Sequence, residues 1–67
     1  MKLTKLVKWN ESQSGHCPAI YEAENGDLVV QGWMLDDDTR ANLHDRSTDE
    51  DGVRIPRSLI TDFMEGR

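Results

Sequence analysis

The sequence is poor in the residues that form the disulfides and metal sites that stabilise small proteins. Cys17 is the one cysteine among 67 residues, so no disulfide can form within the chain. A structural zinc site needs about four cysteine or histidine ligands, and His16 and His44 are the two histidines. The five glycines are isolated and form no phosphate-binding loop. These absences exclude a disulfide scaffold and a zinc finger, and they predict a protein without a cofactor.

Long apolar runs are missing as well. No stretch approaches the roughly 20 apolar residues of a membrane span. Lys2, Lys5 and Lys8 interrupt the apolar residues at the start, which argues against a signal-peptide core. A single cysteine also fits a reducing compartment. The sequence therefore predicts a cytoplasmic protein that does not enter a membrane.

Basic residues are outnumbered by acidic ones, 8 against 13, which gives a net charge of −5. This balance disfavours direct nucleic-acid binding, because neutralised phosphates supply most of that affinity. The segment 36–51 has seven acids against Arg40 and Arg46. Such an acidic patch favours a basic protein as partner. The alternative is a solvated surface that maintains solubility.

The small size of the chain also points to a partner. A domain of this length buries only about 60% of its unfolded surface, which leaves little stability in reserve. Because disulfides and zinc are excluded, oligomerisation or a bound partner is the remaining common support. We therefore expect a protein partner, with a homodimer as a further possibility.

The sequence contains no convincing catalytic or metal-binding motif. His16 and Cys17 are adjacent at the start of a strand, so their side chains should point to opposite sides, whereas nucleophile and base must converge. Asp36-Asp37-Asp38 and Asp49-Glu50-Asp51-Gly52 lack the alternating ligands and distal glutamate of a calcium loop. We predict a protein that is not an enzyme, and an uncharacterised small metal-binding or enzymatic domain is one alternative.

Asn25-Gly26 is the strongest structural signal, because it lies between two apolar runs, residues 17–23 and 27–35. Asn-Gly favours a two-residue type I′ turn with positive φ at both positions. The pair therefore predicts a β-hairpin. Val53 to Ile55 alternates and predicts a third strand beside this hairpin, and Lys2 to Trp9 is a possible additional strand.

Two short helices are predicted after the hairpin. The acids Asp36 to Asp38 favour a helix N-terminus, so a helix should run from about Asp37 to His44 or Asp45. Pro56 favours the first turn of another helix. Its apolar stripe consists of Leu59, Ile60, Phe63 and Met64. The sequence thus predicts one small α+β domain, a three- or four-stranded mainly antiparallel sheet with two short helices.

The large apolar side chains are the candidates for an interaction surface. A chain this small cannot easily bury two tryptophans, and partly exposed Trp and Met side chains anchor many protein interfaces. The predicted partner-binding residues are Trp33, Met34, Phe63 and Met64, beside Asp36, Asp37 and Asp38. The alternative is that the apolar members form the core.

Residues 52–60, Gly-Val-Arg-Ile-Pro-Arg-Ser-Leu-Ile, resemble the Gly-x-Val-x-Ile-Pro-x-x-Leu signature of AbrB-like antitoxins. The resemblance implies a swapped-hairpin dimer that binds DNA directly, in which Lys2, Lys5, Lys8, Arg54 and Arg57 would provide the basic face. A strand followed by Pro and a helix produces the same sequence without any relation to these proteins. Direct DNA binding as a swapped-hairpin dimer is the alternative function.

A second resemblance covers residues 9–67. Trp9, Ser12, Ser14, Gly15 and Cys17 match an opening Trp-x-x-Ser-x-Ser, a Gly/Asn-rich turn and Cys. The close of the pattern, which ends near Phe-x-x-Gly-x-Arg, is resembled by Val53, Ile55, Phe63, Glu65, Gly66 and Arg67. The chain thereby resembles a family of small actinobacterial proteins of unknown function, encoded beside Xre-type helix-turn-helix regulators. Pro18 replaces the usual valine, so the chain would be a divergent relative.

This second resemblance implies a non-enzymatic, antitoxin-like partner of a helix-turn-helix transcription regulator. The acidic chain would bind the basic regulator and modulate it, and the regulator would carry the operator contacts.

Overall fold

A computed structural model describes residues 1–9 and 17–66 of the chain, so residues 10–16 and Arg67 lie outside the described residues. The described elements are, in order, β1 (Leu3–Lys8), β2 (Ala19–Ala23), β3 (Leu28–Gln31), β4 (Trp33–Met34), α1 (Asp37–Ala41), β5 (Val53–Arg54) and α2 (Arg57–Met64). The first three strands form an antiparallel sheet in the order β1-β2-β3, and β4 pairs with β5 in a separate two-stranded ribbon. The predicted α+β class is confirmed.

The predicted hairpin is present, but its turn differs from the type I′ expectation. The Gly26 N–H donates to the Ala23 carbonyl at 2.9 Å, so Glu24 and Asn25 are the central turn residues. Gly26 has φ +93°, whereas neither central residue has a positive φ. The Asn25 side chain instead accepts the Asp27 N–H at 3.0 Å. This is the three-residue hairpin loop, in which only the glycine adopts the left-handed region.

The third strand of the main sheet is β1, and not the 53–55 segment that the alternation favoured. β1 pairs with β2 from Leu3 opposite Ala23 to Lys8 opposite Ala19. The register shifts between Lys5 and Val7, where one extra residue forms a bulge. The mixture of apolar residues and lysines hides this strand, because the bulge breaks its two-residue period.

The run from 27 to 35 does not continue as one strand, because Gly32 separates β3 from β4. A Cβ atom at Gly32 would lie 2.6 Å from the Arg54 carbonyl oxygen and 2.7 Å from Ile55 Cγ2. Only glycine allows the two backbones to come this close. The main-sheet strand ends here, and β4 pairs with β5 instead of extending the main sheet.

Helix α1 starts as predicted and ends early. The Asp36 carboxylate accepts the Thr39 N–H at 2.7 Å, as an N-cap should. At the other end, the Asn42 side chain donates to the Asp38 carbonyl at 2.9 Å, while the Asn42 N–H bonds to Thr39. This competition closes the helix at Ala41, so the predicted extension to His44 or Asp45 is wrong.

Helix α2 starts after Pro56, as predicted, and covers one face of the sheet beside β1. The small core consists of Val7, Ile20 and Leu59, with the side chains of Trp9, Ile55 and Phe63 packed against it. Within the predicted helix stripe, Leu59 is fully buried and Phe63 is half-buried, whereas Ile60 and Met64 are exposed. The stripe therefore serves both the core and the surface.

Candidate protein-interaction surface

The β4–β5 ribbon presents two chemically different faces. Trp33 pairs with Arg54, and Met34 pairs with Val53. Because neighbouring residues on a strand point to opposite faces, Trp33 and Arg54 share one face and Met34 and Val53 share the other. We call the face with Trp33 and Arg54 the inner face, and the face with Met34 and Val53 the outer face.

The inner face joins the ribbon to the body of the protein. The Arg54 guanidinium lies 4.9 Å from the centre of the Trp33 ring. Trp33 in turn contacts Trp9 edge-on, with 5.5 Å between ring centroids. The Trp9 indole N–H donates to the Ser58 hydroxyl of α2 at 3.1 Å. Trp33 is thus a half-buried anchor that fixes the ribbon.

The outer face is apolar and open to solvent. Met34 is 83% exposed and Val53 is 45% exposed. A methionine side chain is flexible and polarisable, and adapts readily to a partner surface. The pair therefore has the properties of a contact site in a protein interface.

The acidic segment 36–51 adjoins the outer face at both ends, because it follows β4 and precedes β5. Its seven carboxylates and two arginines give −5, which equals the net charge of the whole chain. The other 51 residues contain six acids and six bases. All of the charge imbalance is therefore concentrated beside Met34 and Val53.

Hydrogen bonds within the segment hold it in a defined conformation. Arg40 on α1 donates from Nε to Asp51 at 3.0 Å, and its guanidinium lies 3.6 Å from Asp37. The Gly52 N–H donates to the same Asp51 carboxylate at 2.8 Å. Arg40 thus ties the helix to the end of the loop, just before β5.

The same hydrogen bonds lower several pKa values. The pKa of Asp36 is lowered mainly by the bond from Thr39, and the pKa of Asp51 by the bonds from Gly52 and Arg40. Bonds from Ser47 lower the pKa values of Asp49 and Glu50. Each bond favours the charged carboxylate, so these four carboxylates keep their negative charge below the pH at which ordinary carboxylates protonate.

Of the predicted partner-binding residues, Trp33 is half-buried against Trp9, and the others divide into two groups. Met34, Asp36, Asp37 and Asp38 lie together at the end of β4 and the start of α1, all exposed. Phe63 and Met64 lie on α2, where Phe63 packs on the core and Met64 is 76% exposed. The core alternative thus describes Phe63, whereas Met34 and Met64 are surface residues.

Val53 is the surface residue that the sequence reasoning missed. Its place opposite Met34 depends on a strand pairing across the acidic segment. The alternation of Val53, Arg54 and Ile55 predicted a strand, but no local signal identified β4 as its partner.

The described ranges 1–9 and 17–66 contain no group of three or more metal-ligating side chains that could hold an ion. Within the same ranges, no helix has the length and apolar character needed to cross a bilayer. Cys17 is half-buried next to β2. The preceding residue, His16, lies outside the described residues, as do Ser12, Ser14, Gly15 and Arg67 of the second resemblance.

No family model matches the chain, and no curated protein or solved structure is significantly similar to it. The resemblance to proteins encoded beside helix-turn-helix regulators therefore stays a prediction.

Proposed function

We propose that the chain is a non-enzymatic protein-interaction module that binds and regulates a basic helix-turn-helix transcription regulator, in the manner of an antitoxin. The observation that carries this proposal is the position of the exposed Met34–Val53 pair at the edge of a segment that holds the whole net charge. An apolar centre with a charged surround is the usual anatomy of a specific interface.

The charge selects the chemistry of the partner. A helix-turn-helix regulator carries lysines and arginines to neutralise DNA phosphates, and seven carboxylates in sixteen residues complement such a surface. In this proposal the acidic segment covers the DNA-contacting face of the regulator. Operator DNA and this chain then compete for the regulator.

The two apolar groups have different roles in the proposal. Met34 and Val53 contact the partner, while Trp33 and Arg54 hold the ribbon that presents them. Met64 is a second exposed methionine at the end of α2. The effect of a substitution at Met64 on partner binding tests whether the partner surface extends that far.

The test begins with the tagged chain purified from its native cytoplasm at moderate salt, with co-purifying proteins identified by mass spectrometry. The expected result is one stoichiometric helix-turn-helix protein. Calorimetry with the purified regulator then compares the wild type with Met34→Ala, Met64→Ala and the triple Asp36→Asn, Asp37→Asn, Asp38→Asn variant. Asparagine is chosen because it preserves the N-cap at position 36.

We expect Met34→Ala to weaken binding about tenfold. The triple variant should weaken it further and reduce its dependence on salt. Glu24→Gln on the hairpin and Leu3→Ala on β1 are the controls, since both residues are exposed and far from the acidic segment in sequence. Equal losses in the controls, or a regulator that still binds its operator when saturated with this chain, would contradict the proposal.

A further inference from the structure

The outer edge of β3 offers hydrogen-bonding groups to solvent. The Ala23 N–H donates to the Asp27 carbonyl at 2.8 Å, so this pair is a hydrogen-bonded pair of the ladder. Such pairs alternate along antiparallel strands. In the register of β2 with β3, Val29 and Gln31 therefore bond to β2, and the N–H and C=O groups of Leu28 and Val30 point away from it.

The two edges of the sheet differ in their protection. β1 has a bulge and lies among Lys2, Lys5 and Lys8, which are the usual devices against edge pairing. β3 is Leu-Val-Val-Gln, with a regular register to β2 and no charge. Leu28 is 53% exposed and Val30 is 37% exposed, on the face that also holds Ile20. Among the described residues, no strand other than β2 pairs with β3.

We infer that a second copy of this chain pairs with β3, so that two three-stranded sheets join into one six-stranded antiparallel sheet. The outward groups restrict the register, and the arrangement with Leu28 of one copy opposite Val30 of the other uses both outward residues of each β3 and makes four backbone hydrogen bonds. Val29 meets its own counterpart on the two-fold axis.

This register is self-complementary in charge and in polarity. It places Asp27 opposite the Gln31 amide, so that the two Asp27 carboxylates do not face each other. It also brings the Leu28 and Val30 side chains of both copies together on one face.

The first measurement is sedimentation equilibrium of the full chain at concentrations up to about 1 mM. We expect a monomer–dimer equilibrium for the wild type. Leu28→Lys should weaken the dimer at least about thirtyfold, since both copies lose an apolar contact at once. Leu3→Lys is the matched control, because Leu3 is a similarly exposed leucine on the opposite edge strand, and it should leave the dimer intact.

The second measurement tests the register. Two Val29→Cys chains should form an intermolecular disulfide, since facing residues in a non-hydrogen-bonded pair lie about 4.5 Å apart at Cα. Leu28→Cys should not form one, because its counterpart is offset by two residues and lies about 8 Å away. Mass spectrometry of non-reduced digests distinguishes these bonds from any that involve Cys17.

Circular dichroism accompanies each variant, so that loss of the fold is not mistaken for loss of the dimer. A wild type that stays monomeric up to about 1 mM overturns the inference. A dimer that survives Leu28→Lys, or that forms disulfides equally at positions 28 and 29, overturns it as well. Because these experiments need no regulator, their result is independent of the proposed function.

Discussion

Replacement of Gly32 by alanine should destabilise the protein, although alanine normally improves such positions. Gly32 does not have a positive φ, so alanine meets no backbone strain there. In the absence of contacts, Gly→Ala stabilises a protein by about 0.4–1 kcal/mol, because it restricts the unfolded chain. The close approach of β5 determines whether this gain survives.

The new Cβ atom would lie 2.6 Å from the Arg54 carbonyl oxygen, 2.7 Å from Ile55 Cγ2 and 3.2 Å from Val53 Cγ2. The carbonyl belongs to the backbone and cannot rotate aside, so the ribbon must move relative to β3. Overpacking of this kind costs about 1–3 kcal/mol. After subtraction of the entropic gain, we expect a net loss of about 1–2 kcal/mol.

A loss of that size is a large share of the stability of a 67-residue domain, and corresponds to a decrease in Tm of roughly 5–15 °C. Thermal unfolding followed by circular dichroism, with urea titration at 25 °C as a second measure, gives the value. Gly52→Ala is the matched control. Its nearest contacts are methyl groups of Leu35 and Leu43 at 3.2 Å and 3.4 Å, and these can move.

We expect Gly52→Ala to lie within about 0.5 kcal/mol of the wild type. If Gly32→Ala is as stable as the wild type, or more stable, the close approach at Gly32 does not constrain the fold and the reasoning is refuted.

Two further predictions concern the core and the cap. Leu59→Ala should cost about 2–5 kcal/mol, because Leu59 is the fully buried residue that α2 contributes to a very small core; a cooperative urea transition near the wild-type midpoint would contradict this. Asp36→Ala should lower Tm by a few degrees at pH 7, whereas Asp36→Asn should retain most of the stability because its side chain can still accept the Thr39 N–H. The pKa of Asp36 is lower in the folded chain than in the unfolded chain, so its contribution is complete above about pH 4 and is lost as the pH falls through the folded value. The wild-type Tm should therefore decrease more than that of Asp36→Asn between pH 5 and pH 3, and parallel decreases would show that the carboxylate charge is not involved.

The features that the sequence predicted correctly are those with local causes. Asn25 and Gly26 identified the hairpin, Asp36 identified a helix start, and Pro56 identified another. In each case the residues that form the hydrogen bonds lie within four positions of one another. Two details differed, the turn type and the early end of α1, and side-chain amides account for both. The Asn25 amide oxygen accepts the backbone N–H of Asp27, and the Asn42 amide group donates to the backbone carbonyl of Asp38.

The features that could not be predicted depend on distant contacts. The pairing of β4 with β5 joins residues about twenty positions apart, and it needs the space left by Gly32. A glycine inside an apolar run looks the same whether it weakens a strand or allows another backbone to approach. For the same reason Met34 was identified as a surface candidate, and Val53, its neighbour across the ribbon, was not.

The hydrogen bond between Trp9 and Ser58 spans 49 residues, and this has a consequence for biosynthesis. The sheet β1-β2-β3 can assemble from local pairings as soon as it leaves the ribosome, but its apolar face stays uncovered until α2 has been made. Until α2 packs on the sheet, Val7 and Ile20 are open to solvent and to other chains. Residues 32–56 supply no core residue except Ile55, so protection of this face depends on the late packing of α2.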